Sequence, residues 1–141
     1  MSRATSPYNM RPPIMSVKVE DTMDVMIVRD TARRAAGLLG FSPARRAQLS
    51  TAAAALAELV LKTGDPHVVH LNGVVDGVKM GLQLSAETPW LAGVSSSNVL
   101  VALRSKLGEL VDDIKLMGDH PPTIIMVTWL NEVRLEEQDA E

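Results

Sequence analysis

Few side chains in this sequence have the type and spacing that catalysis or metal binding requires. The three histidines are His67, His70 and His120. His67 and His70 are separated by an odd number of residues, so in the extended segment that holds them they point to opposite faces. A chelating pair on a strand needs i, i+2 spacing, and His120 sits beside Asp119 among turn formers. The chain has no cysteine, which removes thiolate zinc sites, disulfide scaffolds and cysteine nucleophiles, and fits a reducing compartment. No G-x-S-x-G, Walker loop or G-x-G-x-x-G is present, so the usual nucleophile elbow and phosphate cradles are missing. Asp112 and Asp113 read as helix-face charges rather than an acid–base pair. Arg33/Arg34 and Arg45/Arg46 have the chemistry to meet phosphate, but read better as solvated faces of two helices. No metal site is expected.

The elements that must position these residues are bounded by composition. At 141 residues and 15.2 kDa the chain has the size of one domain, and 46% hydrophobic residues suffice for a core. Only four rings are present, Tyr8, Phe41, Trp90 and Trp129. The core must therefore be aliphatic, and a base-stacking platform for single-stranded nucleic acid is excluded. The formal charge is −3, with four carboxylates in the closing EEQDAE. Nucleic-acid binding needs a strong basic excess on one face, which such a balance does not supply. No apolar run approaches the ~18 residues of a membrane span, and MSRATSPYNMRPP has no apolar leader core. The expectation is a soluble, cytoplasmic protein that contacts neither membrane nor nucleic acid.

Residues 1–13, with Pro7, Pro12 and Pro13, show no periodicity and read as a disordered lead-in; 131–141 read as an acidic tail; 14–130 form the folded unit. Ile14–Glu20 alternates as a strand. Asp24 offers a helix cap, after which Val25, Val28, Ala32, Ala35, Ala36 and Leu39 recur at helical spacing to Gly40. Ser42-Pro43 opens a second helix to about Lys62, with Leu49, Ala52, Ala53, Leu56 and Val60 inward. His67–Val75 and Val78–Ala86 flank Asp76-Gly77, which signals a type I′ hairpin whose second arm is half-buried. A third helix from Ser97 or Asn98 carries Leu100, Leu103, Leu107, Leu110, Val111 and Ile114 as its buried stripe. Strands at Ile114–Met117 and Thr123–Leu130 close the order β-α-α-β-β-α-β-β. The expected fold class is α+β, a two-layer sandwich with a mixed sheet covered on one face by about three helices.

Asp24-Val25, Arg29, Leu39-Gly40-Phe41, Leu49-Ser50-Thr51-Ala52 and Leu56-Ala57, then the Asp76-Gly77 hairpin with Gly81-Leu82 and the closing Met126-Val127-Thr128-Trp129-Leu130, form an ordered set. Together they resemble the RsbT-type serine kinases, in the anti-sigma-factor branch of the GHKL ATPases. The likeness covers roughly residues 15–130 and implies that family's ATP-binding sandwich, the Bergerat fold.

The same resemblance implies where nucleotide chemistry should reside, and at each place the sequence departs. The family's second helix carries a Glu and, four residues on, a Mg²⁺-ligating Asn; the matching positions are Ala55 and Leu59. An Asp-x-Gly-x-Gly that grips adenine corresponds to Glu87–Gly93, with Thr88 at the Asp and Pro89-Trp90 where glycine belongs. The glycine-rich phosphate loop corresponds to Val99–Leu103, so that Val99, Val101 and Leu103 bring bulk to an anion-binding backbone. Phosphoryl transfer rests on positioning and electrostatics, and neither survives such replacements. The chain therefore reads as a pseudokinase without cofactor. What the resemblance then implies is a regulator that binds a STAS-domain partner in a bacterial partner-switching pathway, with a sigma factor or other effector downstream and homodimerisation open, by the first helix or by the sheet edge near His67–Val75. The docking surface is expected on the first helix, the start of the second and 88–97, through Arg29, Arg33, Arg45 and Trp90, whose indole is either an interface anchor or a plug for the vacated pocket. The alternative is an active ATP- and Mg²⁺-dependent serine kinase using Glu58 or Glu87 as a substitute carboxylate.

Overall fold

The computed structural model describes residues 8–62, 67–87, 96–118 and 122–130, with the side chains of 96–100 left aside. The element order is β1 (Asn9–Val19), α1 (Thr22–Leu39), α2 (Pro43–Lys62), β2 (His67–Asp76), β3 (Lys79–Glu87), α3 (Ser96–Leu107), β4 (Asp113–Met117) and β5 (Thr123–Trp129). This is the expected α+β order.

The five strands form one sheet in the order β1-β2-β3-β5-β4, and each pairing is antiparallel. The expected mixed sheet is thus corrected. The α1–α2 hairpin returns the chain to the end from which it left, so β1 and β2 run in opposite directions. The single crossover through α3 does make β3 and β4 point the same way. However, β5 inserts between them and pairs with both, so no parallel ladder forms. This order also makes β2 an interior strand, paired with β1 on one side and β3 on the other. The stretch His67–Val75 therefore offers no free edge for self-association; the edges are β1 and β4.

β1 begins at Asn9, inside the segment expected to be a disordered lead-in. Pro12-Pro13 signals a break in a sequence, but the register shifts between Arg11 and Ile14, and the strand lies at the edge. A register break on an edge strand accommodates residues that lack a donor.

α1 starts earlier than the Asp24 cap implies. Asp21 is the N-cap, its Oδ1 accepting from the backbone N–H of Met23 (3.0 Å) and Asp24 (3.3 Å). Asp24 completes a capping box, its Oδ2 accepting from the Asp21 N–H (3.2 Å) and also from Glu20 (2.8 Å). Gly40 closes the helix in the left-handed region at φ 96°. Ser42 Oγ accepts from the Arg45 N–H to open α2. The two helices bury Val28, Ala32, Ala35 and Ala36 from one side and Leu49, Ala52, Ala53, Leu56, Ala57 and Val60 from the other. Alanine faces allow two helices to lie close, and Phe41, 4% exposed, belongs to the same core cluster.

The β2–β3 turn is Gly77-Val78, flanked by the Asp76–Lys79 pair. Gly77 has φ 65° while Val78, like every described non-glycine residue, does not have positive φ, which is the type II′ pattern rather than the expected I′. β3 is not half-buried. Leu82, Leu84 and Ala86 face the helices, and Gln83 and Ser85 on the other face are buried as well. On that second face Val74, Ile125, Val127 and Trp129 cluster with Tyr8 and Met117. Gly81 is the device that admits the indole. A Cβ there would fall on the Thr128 carbonyl oxygen and 3.0 Å from the Trp129 ring.

The expected buried stripe of the third helix divides in two. Leu103 and Leu107 are buried within α3, whereas Val111 lies in the connection and Ile114 in β4. No helix among the described residues is long and apolar enough to cross a membrane.

Candidate interaction surface

The described residues among those proposed from sequence are spread over α1, α2, α3 and the end of β3. Ala55 and Leu59, four apart on one face of α2, are half-buried and pack against the helix–sheet core. Neither side chain has an atom able to bind a cation or move a proton. The nearby hydroxyls are spent on the helix itself. Ser50 and Thr51 both donate to the Ala47 carbonyl, at 2.9 and 3.0 Å. Glu58 is exposed on α2 and Glu87 at the end of β3. Val99, Val101 and Leu103 stand within α3, so this stretch is helix rather than an open loop. Val101 is 67% exposed and Leu103 is buried. Thr88 and Trp90 lie outside the described residues.

The arginines part company. Arg45 is a brace: its Nη2 contacts Asp112 at 3.1 and 3.4 Å, and its Nη1 lies 3.4 Å from Gln48 Oε1. Asp112 in turn accepts from the Trp129 N–H at 2.7 Å. The start of α2, the entry to β4 and the end of β5 are joined at that carboxylate. Arg45 is thus held by contacts within the fold. Arg29 is half-buried on α1, and its Nε is buried without a hydrogen-bond partner among the described residues. Arg33 is exposed and lines an open groove of about 520 Å³ with Asp30, Arg34, Gly37, Leu38 and Arg46.

That groove is the site that sequence reading did not assemble. Asp30, Arg34 and Leu38 follow at i, i+4, i+8, a spacing that places them on one face of α1. Arg46 joins them only because α2 crosses beside Gly37. A Cβ on Gly37 would stand 3.2 Å from Arg46 Nη1. The same outward surface of α1 carries Met23, Met26, Ile27 and Leu38, exposed at 72, 50, 48 and 66%. Apolar side chains at i, i+3, i+4 on a solvent face suit a partner's helix or groove.

His67 and His70 stand three apart on β2, an odd offset that points them to opposite faces of the strand. His67 is half-buried, His70 is exposed, and His120 lies outside the described residues. Among the described residues no group of three His, Cys, Asp or Glu side chains is placed to hold a metal ion. On the far face of the sheet, Tyr8 meets Trp129 edge-on at 5.1 Å, Lys79 Nζ stands 5.2 Å from the Trp129 ring, and Lys115 Nζ 5.7 Å from the Tyr8 ring. These contacts bind the amino-terminal strand region to β5. No protein-family model matches the chain, and no curated protein matches it in sequence.

Proposed function

We propose that this chain is a serine-kinase-like regulator of RsbT type, a GHKL sandwich without nucleotide chemistry, which acts in the cytoplasm by docking a STAS-domain protein in a partner-switching pathway. One observation carries the reading. The two α2 positions that the resemblance assigns to the Glu and the Mg²⁺-binding Asn are Ala55 and Leu59, and both are half-buried against an aliphatic core. An alkyl group is at home there, whereas a hydrated cation has no ligand. The β-α-α-β-β-α-β-β order supports the same assignment, and helical backbone at 99–103 leaves few free N–H groups for a phosphate.

Docking falls to α1. Met23, Met26 and Ile27 form an exposed apolar row, followed along the helix by Arg33 and Arg34. Methionines adapt to a partner's contour, and arginines on the flank favour an acidic one. Titration calorimetry against a STAS-domain protein tests this directly. The expected result is nanomolar-to-micromolar binding that is equal with and without Mg-ATP, and lost in Met26→Glu. Absence of heat, or heat only with Mg-ATP, overturns it. A rise of several degrees in Tm on adding Mg-ATP would instead support the ATP-dependent kinase.

A further inference from the structure

The Arg33–Arg34–Arg46 groove and the acidic stretch beyond β5 are complementary in charge and adjacent along the chain. Three guanidinium groups line the groove against a single carboxylate, Asp30. None of the three is ion-paired with a described residue, in contrast to Arg45, which is held by Asp112. The chain leaves β5 at Trp129, and Leu130 lies half-buried against the main core. Its Cδ2 is 4.0 Å from the Cβ position of Gly40, the cap that ends α1. Gly37 and Leu38 of the groove wall belong to the last turn before that cap. Residues 131–141, NEVRLEEQDAE, follow directly on Leu130, whose side chain meets the cap next to that wall. They carry Glu132, Glu136, Glu137, Asp139 and Glu141 against one cation, Arg134.

We infer that the acidic segment 131–141 of this chain docks in the groove formed by Arg33, Arg34 and Arg46, with Glu136, Glu137 and Asp139 as its principal contacts. Reach is not limiting. Glu136 is six residues beyond Leu130, and an extended chain covers roughly 3.3 Å per residue, so ~20 Å are available against the ~10 Å of helix between Gly40 and Arg33. Arginine suits this role because its planar fork takes a carboxylate with two parallel bonds. Leu38, 66% exposed, adds an apolar rim to the groove. The inference goes beyond the partner reading and does not depend on it. If both hold, an acidic partner approaching Arg33 and Arg34 must first displace the chain's own carboxylates.

The absence of cysteine makes the test direct, because Ala140→Cys gives one attachment point for a spin label. In the full-length, uniformly ¹⁵N-labelled protein at low salt, amides of residues 33–38 and 44–46 should lose intensity relative to the reduced, diamagnetic control. The loss should vanish in 1 M salt, where the Debye length is about 3 Å. It should vanish with Arg33→Glu plus Arg34→Glu, and equally with Glu136→Lys, Glu137→Lys and Asp139→Lys, which leave the groove untouched. Combining the two charge reversals should restore it. Undiminished intensity in the parent at low salt overturns the inference, as does attenuation that survives both reversals. If attenuation appears when spin-labelled ¹⁴N protein is mixed with untagged ¹⁵N protein, the contact is between copies, and the intramolecular assignment falls.

Discussion

Arg45 Nη2 stands 3.1 Å from Asp112 Oδ2 across 67 positions of chain, and the same oxygen accepts the Trp129 N–H at 2.7 Å. One carboxylate thus serves a helix start and the end of an interior strand. Both ionic partners are shielded, with side-chain exposures of 20% and 29%.

Asp112→Ala should therefore be more destabilising than Arg45→Ala. It leaves the Trp129 N–H and a part-buried guanidinium without their acceptor, a loss of about 1–3 kcal/mol. Asp112→Asn, which keeps an amide oxygen for Trp129, should recover part of the loss. Urea denaturation of the three variants, with the midpoints compared at constant m, gives the ordering.

Gly81→Ala should lower stability although glycine is a poor strand former. The added methyl meets the Thr128 carbonyl and the Trp129 ring. Overpacking of this kind is worth about 1–3 kcal/mol, or a fall in Tm of several degrees. Thermal denaturation reads it. An unchanged or raised Tm would mean that the sheet yields at this point without strain.

Tyr8→Ala should loosen the far-face cluster by about 0.5–1.5 kcal/mol beyond the lost area, the usual worth of an edge-on aromatic pair. In a Trp90→Phe background Trp129 is the sole indole. Its emission should move to longer wavelength when Tyr8 is removed, because Trp129 is only 5% exposed in the native protein.

Met26→Glu and Ile27→Glu lie on the solvent face of α1 and should change folding stability by no more than about 0.5 kcal/mol. Each should weaken STAS-domain binding tenfold or more, about 1.4 kcal/mol. Calorimetry and thermal denaturation of the same samples separate docking from folding.

Local pattern made the element order legible, because period-3.6 and period-2 runs were long and separated by Gly, Pro and Ser. It read α1, α2 and the β2–β3 pair nearly to their ends. Other features depended on contacts that sequence does not display. Pro12-Pro13 hid the first residues of β1, since a proline pair is compatible with a strand only at an edge or a break in register. The polar alternation Gly81, Gln83, Ser85 suggested solvent, yet the far face is covered by Val127, Trp129 and Tyr8, distant in sequence. The groove needed α2 to bring Arg46 to Gly37. Arg33 and Arg45 looked equivalent as members of two arginine pairs. Only the fold shows that Arg45 braces Asp112 while Arg33 faces solvent.

The interior position of β5 has a consequence for biosynthesis. A chain made from its amino end has β1, β2, β3 and the α1–α2 pair before β5 exists, and β3 then presents an unsatisfied ladder of backbone donors and acceptors. Translation at ~5–20 residues per second leaves that ladder open for a time on the order of seconds. Any interruption before Thr123 would make it permanent, releasing a fragment with a long, apolar, unpaired strand edge, the kind of surface that recruits other chains. Quality-control factors acting on this protein would find their target there, in a bare β3 rather than in a frayed helix.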